Sequence, residues 1–181
     1  MNHIILTGGS SKRFGSDKSQ AQINGRTLLE ILTEDLSNLI IIGPESSVSA
    51  KYVREHPIGG GPVAAIAAGL KEVDTSEVAI LATDMPFASK ILNLLKENLI
   101  SDAALPVDGD GFAQPLAAIY RTDKLRSAIS KFENIENKSV RELISHLSID
   151  RVPLVETELL MDIDTQEDLL KAIDLASRLA L

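Results

Sequence analysis

The chain has 181 residues, 44% of them hydrophobic but only 3% aromatic, and carries a formal charge of −8; this is enough apolar material for one core packed from Leu, Ile, Val and Ala. The acidic balance argues against a nucleic-acid backbone or an anionic membrane surface as partner, so a phosphorylated ligand would have to be met by a local basic patch. The lack of cysteine excludes disulfides, thiolate catalysis and Cys-ligated zinc or iron–sulfur clusters. Neither a signal-peptide pattern nor an apolar run long enough to span a bilayer is present, so the expected location is the cytoplasm.

The first apolar run, His3-Ile4-Ile5-Leu6, has the length and β-branched character of a buried strand. A loop follows at once, Thr7-Gly8-Gly9-Ser10-Ser11-Lys12-Arg13-Phe14-Gly15-Ser16-Asp17-Lys18. Its glycines let successive backbone N–H groups turn inward into an anion-binding concavity. Lys12, Arg13 and Lys18 against the single acid Asp17 make the loop locally basic. Arg13 and Lys18 are therefore the candidate phosphate ligands, with the amides of Gly8, Gly9 and Gly15 as the cradle. The spacing fits neither a Walker loop nor a dinucleotide fingerprint: five residues separate Gly9 from Gly15, Lys18 lies three positions further on, and no Gly-x-Gly opens the loop.

Asn24-Gly25 is a turn signal, and the capping box Thr27-x-x-Glu30 opens a helix with Leu28, Leu29, Ile31, Leu32 and Leu36 on its apolar face. Leu39–Ile42 reads as a second buried strand, ended by Gly43-Pro44, and strand, helix, strand in this order implies a parallel pair. Tyr52–Arg54 is a weaker strand candidate. Gly59-Gly60-Gly61-Pro62 leads into a helix whose stripe is Val63, Ile66, Ala67, Leu70 and Val73; a helix start of this kind favours an anion without requiring one.

Val78–Ala82 is the next buried strand and runs into Thr83-Asp84-Met85-Pro86. A carboxylate at the C-terminal end of a parallel strand lies where open α/β sheets bind ligands. Asp84 is thus the leading metal candidate, and Mg²⁺, which needs only one or two carboxylates plus substrate phosphates, is the ion that suits it. The bland alternative is an Asp capping the next helix. Ala103–Val107 and Gln114–Tyr120 read as two strands joined by the turn Asp108-Gly109-Asp110-Gly111. A helix is expected near residues 123–132, another at the capping box Ser139-Val140-Arg141-Glu142, a strand over Ile149–Val155, and a further strand in Leu159–Thr165 that delivers the chain to a last helix capped by Thr165-x-x-Asp168. His3, His56 and His146 fall on separate elements, which disfavours a His-based metal site or triad. Alternating strands and helices with one late hairpin predict an α/β, three-layer Rossmann-like fold with a mostly parallel mixed sheet.

The opening motif resembles the L-x-G-G-x-S-x-R-(M)-G-x-D-K stretch of the molybdenum cofactor guanylyltransferase family and its nucleotidyl-sugar relatives, matched here by Leu6, Gly8, Gly9, Ser11, Arg13, Gly15, Asp17 and Lys18, with Phe14 in place of the usual Met. Gly61-Pro62, Asp84-Met85-Pro86, Gln114-Pro115-Leu116 and Asp162-Ile163-Asp164-Thr165 resemble further family segments in the right order, so residues 1–181 would form one nucleotidyltransferase domain. Departures are Ala65 for a usual Gly, and Asp162 and Asp164 for a usual pair of Asn.

By this resemblance the chain would transfer GMP from Mg–GTP to the phosphate of a molybdopterin-type acceptor and release pyrophosphate. Leu6, Thr7 and Gly8 would meet the base and ribose through backbone groups, and Glu55 would stand near the guanine-reading position. Gln114, Pro115 and Arg141 would line the acceptor side, Arg141 being equally readable as a solvated residue of a capped helix. Asp164 would be a possible second metal ligand or, alternatively, only part of the helix start. A CTP-dependent molybdopterin cytidylyltransferase, a nucleotidyl-sugar or isoprenoid-precursor enzyme, and a non-catalytic nucleotide-binding module are the competing readings.

Overall fold

A computed structural model describes residues 1–8 and 21–181. In chain order the elements are β1 (Asn2–Leu6), β2 (Gln22–Ile23), β3 (Arg26–Thr27), α1 (Leu28–Thr33), β4 (Leu39–Ile42), β5 (Lys51–Val53), α2 (Pro62–Leu70), β6 (Glu77–Ala82), a 3₁₀ turn (Ala88–Ile91), α3 (Leu92–Glu97), β7 (Ala103–Val107), β8 (Ala117–Arg121), α4 (Thr122–Ile129), α5 (Val140–Ile144), β9 (Ile149–Pro153), a 3₁₀ turn (Thr157–Leu160) and α6 (Gln166–Arg178). Seven strands form one sheet in the order β5-β4-β1-β6-β8-β7-β9. Within this sheet every pair that excludes β8 is parallel, and β8 runs antiparallel to both β6 and β7; β2 and β3 form a separate antiparallel pair.

The sheet is covered on both faces, which is why its central strands are continuous apolar runs. Side chains alternate across it: Ile4, Leu6, Ile40, Ile42 and Ile80 pack under α2, α4 and α5 through Val63, Ile66, Leu70, Leu125 and Leu143. Ile5, Ile41 and Leu81 face the other way, onto α1, α3 and α6 through Leu32, Leu95 and Leu175. This is the expected three-layer α/β arrangement, and each fully buried Ile or Leu in it contributes about 1.5–3 kcal/mol. Helix α2 rides close to β1 at Gly69, where an added Cβ would lie 2.9–3.1 Å from Ile4 side-chain atoms.

The local signals of the sequence hold. Both halves of the capping box are formed at Thr27/Glu30, Ser139/Glu142 and Thr165/Asp168. Asn24 (φ +52°) and Gly25 (φ +78°) make the two-residue turn between β2 and β3, the conformation that favours Asn-Gly. Pro62 opens α2.

One expected strand is absent. Leu159 and Leu160 are consecutive and both buried within a 3₁₀ turn, a pattern with no period of two, and residues 161–164 form no strand. Ile163, fully buried, donates its amide to the carbonyl of Asp84 at 2.9 Å, so the segment docks on the chain leaving β6. The strand expected from Gln114 starts at Ala117 because Gln114 and Ala117 close a turn, Ala117 N–H donating to the Gln114 carbonyl at 3.3 Å. Among the described residues no helix is long and apolar enough to cross a membrane.

Candidate active site

Because β5, β4, β1 and β6 are parallel neighbours, their C-terminal ends meet at one edge of the sheet. Thr7, which follows β1, donates its amide (3.2 Å) and its Oγ1 (2.9 Å) to the carbonyl of Ile42 at the end of β4. Thr83, which follows β6, does the same to the carbonyl of Leu6, at 3.1 Å from the amide and 3.0 Å from Oγ1. The Leu6 carbonyl is therefore doubly engaged within the sheet. Gly8 is exposed beyond it, and an added Cβ there would meet nothing within 4 Å. Gly9, Arg13, Gly15 and Lys18 lie outside the described residues. The described chain resumes at Ala21, which is buried and leads directly into β2.

Asp84 is half-buried, one residue beyond Thr83. Three backbone bonds fix its stretch: Ala82 N–H to Leu116 O (2.9 Å), Met85 N–H to Ala82 O (3.1 Å) and Ile163 N–H to Asp84 O (2.9 Å). The N-cap residue of the 3₁₀ turn that follows is Phe87, three positions further on. Asp162 and Asp164, both exposed, flank Ile163 and are thus brought to the Asp84 backbone. Asp164 also belongs to the α6 cap, its amide donating to Asp168 Oδ2 at 3.2 Å. Carboxylate oxygens at a strand end are the hard donors that Mg²⁺ takes. Among the described residues no group of three or more His, Asp or Glu could enclose a metal; an ion that completes its shell with water and phosphate oxygens needs no such cage.

Glu55 lies at the same edge, after β5. Its Oε1 accepts the Gly59 amide at 3.0 Å, closing the loop that feeds α2. Gly61 (φ +87°) meets the Asn137 backbone with 3.3 Å to an added Cβ, and the Asn137 amide donates to Gly60 O at 2.8 Å. That bond sets the start of α5, and with it the exposed Arg141, beside the glycine corner.

Gln114 and Pro115 belong to the β7–β8 connection. The Asp108 carboxylate accepts the amides of Asp110 (3.0 Å) and Phe112 (2.8 Å) and the Gln114 side-chain amide (2.6 Å). Desolvation opposes its ionisation, but these donors together hold its pKa below the ordinary carboxylate value. Asp108 is the turn former that its position in the sequence suggests. Pro115 O accepts the phenol of Tyr120 at 2.7 Å, and burial pushes that phenol's pKa far up, so it remains a donor. His3 is buried at the opposite end of β1 with Nδ1 2.6 Å from Ser37 O, and desolvation lowers its pKa.

What the sequence reading missed are the threonine contacts and the docking of Ile163. Both follow from strand pairing, and the only local trace is a Thr directly after each of the two apolar runs, Leu6-Thr7 and Ala82-Thr83.

A doubly covered, mostly parallel sheet with a glycine-rich sequence directly after β1 and a carboxylate after the adjacent β6 is the architecture of an α/β nucleotidyltransferase. The family profile of the MobA-like NTP transferase domain matches residues 3–152. A probable molybdenum cofactor guanylyltransferase of Mycobacterium avium (strain 104) is 30% identical over 92% of this chain and 91% of its own length. Among solved structures, molybdopterin-guanine dinucleotide biosynthesis protein A from Archaeoglobus fulgidus superposes with a TM-score of 0.72 at 23% identity, covering 98% of this chain and 100% of that one. The 2-C-methyl-D-erythritol 4-phosphate cytidylyltransferase of Thermus thermophilus gives 0.67 at 19% identity, over 98% of this chain and 100% of its own; these two likenesses establish the fold. The chain belongs to the MobA-like NTP transferase family.

Proposed function

We propose that this enzyme transfers GMP from GTP to the terminal phosphate of molybdenum-bound molybdopterin, forming the guanine dinucleotide and releasing pyrophosphate, and that residues 1–181 work as one nucleotidyltransferase domain in the cytoplasm. The observation that carries the reading is the placement of Asp84 one strand away from Gly8, where the glycine-rich sequence begins, with Thr83 bonded directly to Leu6. The name of the mycobacterial relative supports the choice of nucleotide and acceptor.

An ionised oxygen of the acceptor phosphate attacks the α-phosphorus of GTP while the bond to the bridging α–β oxygen breaks, and pyrophosphate leaves with that electron pair. No nucleophilic side chain is required, so positioning and charge neutralisation carry the catalysis. Asp84, with Asp164 as a second candidate, would hold Mg²⁺, whose charge offsets that of the triphosphate and the leaving pyrophosphate. Arg13 and Lys18 would bind the phosphates, together with the amides of Gly8, Gly9 and Gly15. Thr7 and Gly8 would meet the base and ribose through backbone groups, with Leu6, whose carbonyl is taken by Thr83, underlying them. Glu55 would turn its second carboxylate oxygen toward the guanine edge. Gln114, Pro115 and Arg141 would border the acceptor.

The test is pyrophosphate release from each Mg–NTP with molybdopterin-type acceptor, coupled to chromatographic detection of the dinucleotide. GTP is expected to be the preferred donor, and Mg–GTP to raise the melting temperature more than the other nucleotides do. Preference for CTP would replace this reading with a cytidylyltransferase, and binding without pyrophosphate release would replace it with a nucleotide-binding module.

A further inference from the structure

Two threonines hold the ends of three adjacent strands in the same way. On β1 and β4 the rung is Thr7 to the Ile42 carbonyl, and on β6 and β1 it is Thr83 to the Leu6 carbonyl, each rung made by an amide and a hydroxyl on one oxygen. An ordinary parallel ladder supplies only the amide at such a place. The hydroxyl adds a second donor at the last rung before each strand gives way to a loop, where sheets otherwise fray.

The chain makes room for one of these hydroxyls. A Cβ on Gly43 would fall 1.9 Å from Thr7 Oγ1, so the residue after β4 must be glycine for the clasp to close. Its amide meanwhile donates to Val53 O at 3.0 Å, which carries the same edge across to β5.

We propose that Thr7 and Thr83 are positioning residues, whose hydroxyls lock β4, β1 and β6 together and so fix the distance between the Gly8 backbone that follows Thr7 and the carboxylate that follows Thr83. The proposal rests on the nucleotidyltransferase reading above and adds to it what sets the span between its two halves. Neither hydroxyl touches the nucleotide in this role. Both act through the backbone, Thr83 by orienting Asp84 against Leu6 and Thr7 by pinning the residue before Gly8. A nucleotide held at the Gly8 backbone and through a metal on Asp84 must bridge that span, so slack in either clasp weakens joint binding before it weakens the fold.

The experiment measures Mg–GTP affinity by calorimetry, the Mg²⁺ concentration for half-maximal rate, kcat and KM, and the melting temperature, for the parent protein and for Thr83→Val, Thr83→Ser, Thr7→Ala and Thr7→Ser. The core variant Ile119→Val, which softens the sheet away from the clasps, is the stability control. Thr83→Val and Thr7→Ala are expected to bind Mg–GTP roughly two- to tenfold more weakly, the effect of one lost hydrogen bond, with a higher Mg²⁺ requirement and a lower kcat. Both serine variants should return these values toward the parent, and Ile119→Val should lower the melting temperature without moving them. If Thr83→Val or Thr7→Ala loses melting temperature like Ile119→Val while its Mg–GTP affinity stays at the parent value, the clasps are merely structural and the proposal is overturned. Serine variants as impaired as Thr83→Val and Thr7→Ala would overturn it too, since the hydroxyl would then not be the active group. A parent protein that binds no Mg–NTP at all would instead sink the nucleotidyltransferase reading, and this inference with it.

Discussion

The amide of Ile163 donates to the carbonyl of Asp84 at 2.9 Å, so a segment 79 positions further along the chain is fastened to the exit of β6. Ile163 is fully buried, which anchors the segment, while Asp162 and Asp164 on either side stay exposed at the strand-end edge. Asp84 is thereby fixed through its backbone, and its carboxylate is the group that the nucleotidyl-transfer reading depends on. Asp84→Asn keeps the shape and removes the charge. Pyrophosphate release is expected to fall by roughly a hundredfold or more, with the melting temperature close to the parent value. A near-normal rate in this variant would remove Asp84 from the metal site.

Asp164 tests the other side of the same contact. Its backbone amide serves the α6 cap through Asp168, and Asp164→Asn leaves that bond possible. If the carboxylate assists at the metal, the Mg²⁺ concentration for half-maximal rate should rise severalfold while thermal stability hardly changes. A magnesium titration superimposable on the parent curve would return Asp164 to the helix start alone.

How much of this was legible in the sequence depended on range. The capping boxes at Thr27, Ser139 and Thr165 could be read because both partners lie within three residues. Buried strands such as Leu39–Ile42 could be read because a doubly covered sheet demands an unbroken apolar run. The apolar run around Leu159–Thr165 suggests a strand, but the segment docks on Asp84, far off in sequence, through Ile163 and forms none. Glu55 and Gln114 are ligand candidates only through the family resemblance, and each has a partner that the folded chain reveals, Gly59 for one and Asp108 for the other. Asp84 is legible for a simpler reason: an acid two positions after a buried strand, here beyond Thr83, is at the strand-end edge of a parallel α/β sheet.

A pH prediction follows from His3. Desolvation lowers its pKa in the folded chain, with the Ser37 carbonyl opposing and the N-terminal amine adding to the shift. The unfolded chain then binds the proton more tightly than the native one, so stability increases with pH across this titration. The contribution is complete above the unfolded value of about 6.5 and is lost as pH falls below it. Denaturation midpoints should therefore drop between pH 7 and pH 5, and His3→Asn should flatten that slope. A second loss belongs at lower pH: Glu30, Glu142 and Asp168 have depressed values, led by hydrogen bonds from Ser47, the Ser139 amide and Thr165 respectively, and that stability disappears only as pH falls through their folded pKa values. An unchanged pH 7 to 5 slope in His3→Asn would exclude His3 as its source.

The last prediction concerns the glycine that admits the Thr7 hydroxyl. In Gly43→Ala the new Cβ would lie 1.9 Å from Thr7 Oγ1 and 3.2 Å from Thr7 Cβ, on a backbone with φ of +155° that side chains rarely adopt. Either the hydroxyl leaves the Ile42 carbonyl or the end of β4 shifts, and both carry a cost. Overpacking and an unfavourable backbone together should lower unfolding stability by about 1–3 kcal/mol. The two sources can be separated by a double-mutant cycle, because Thr7→Ala removes the 1.9 Å collision and leaves the backbone strain untouched. Gly43→Ala should then cost less in the Thr7→Ala background than in the parent, an interaction on the order of 0.5–1.5 kcal/mol for groups in contact. Strictly additive losses, measured by urea denaturation of the four proteins, would mean that the Thr7 hydroxyl is not where the Gly43 approach places it.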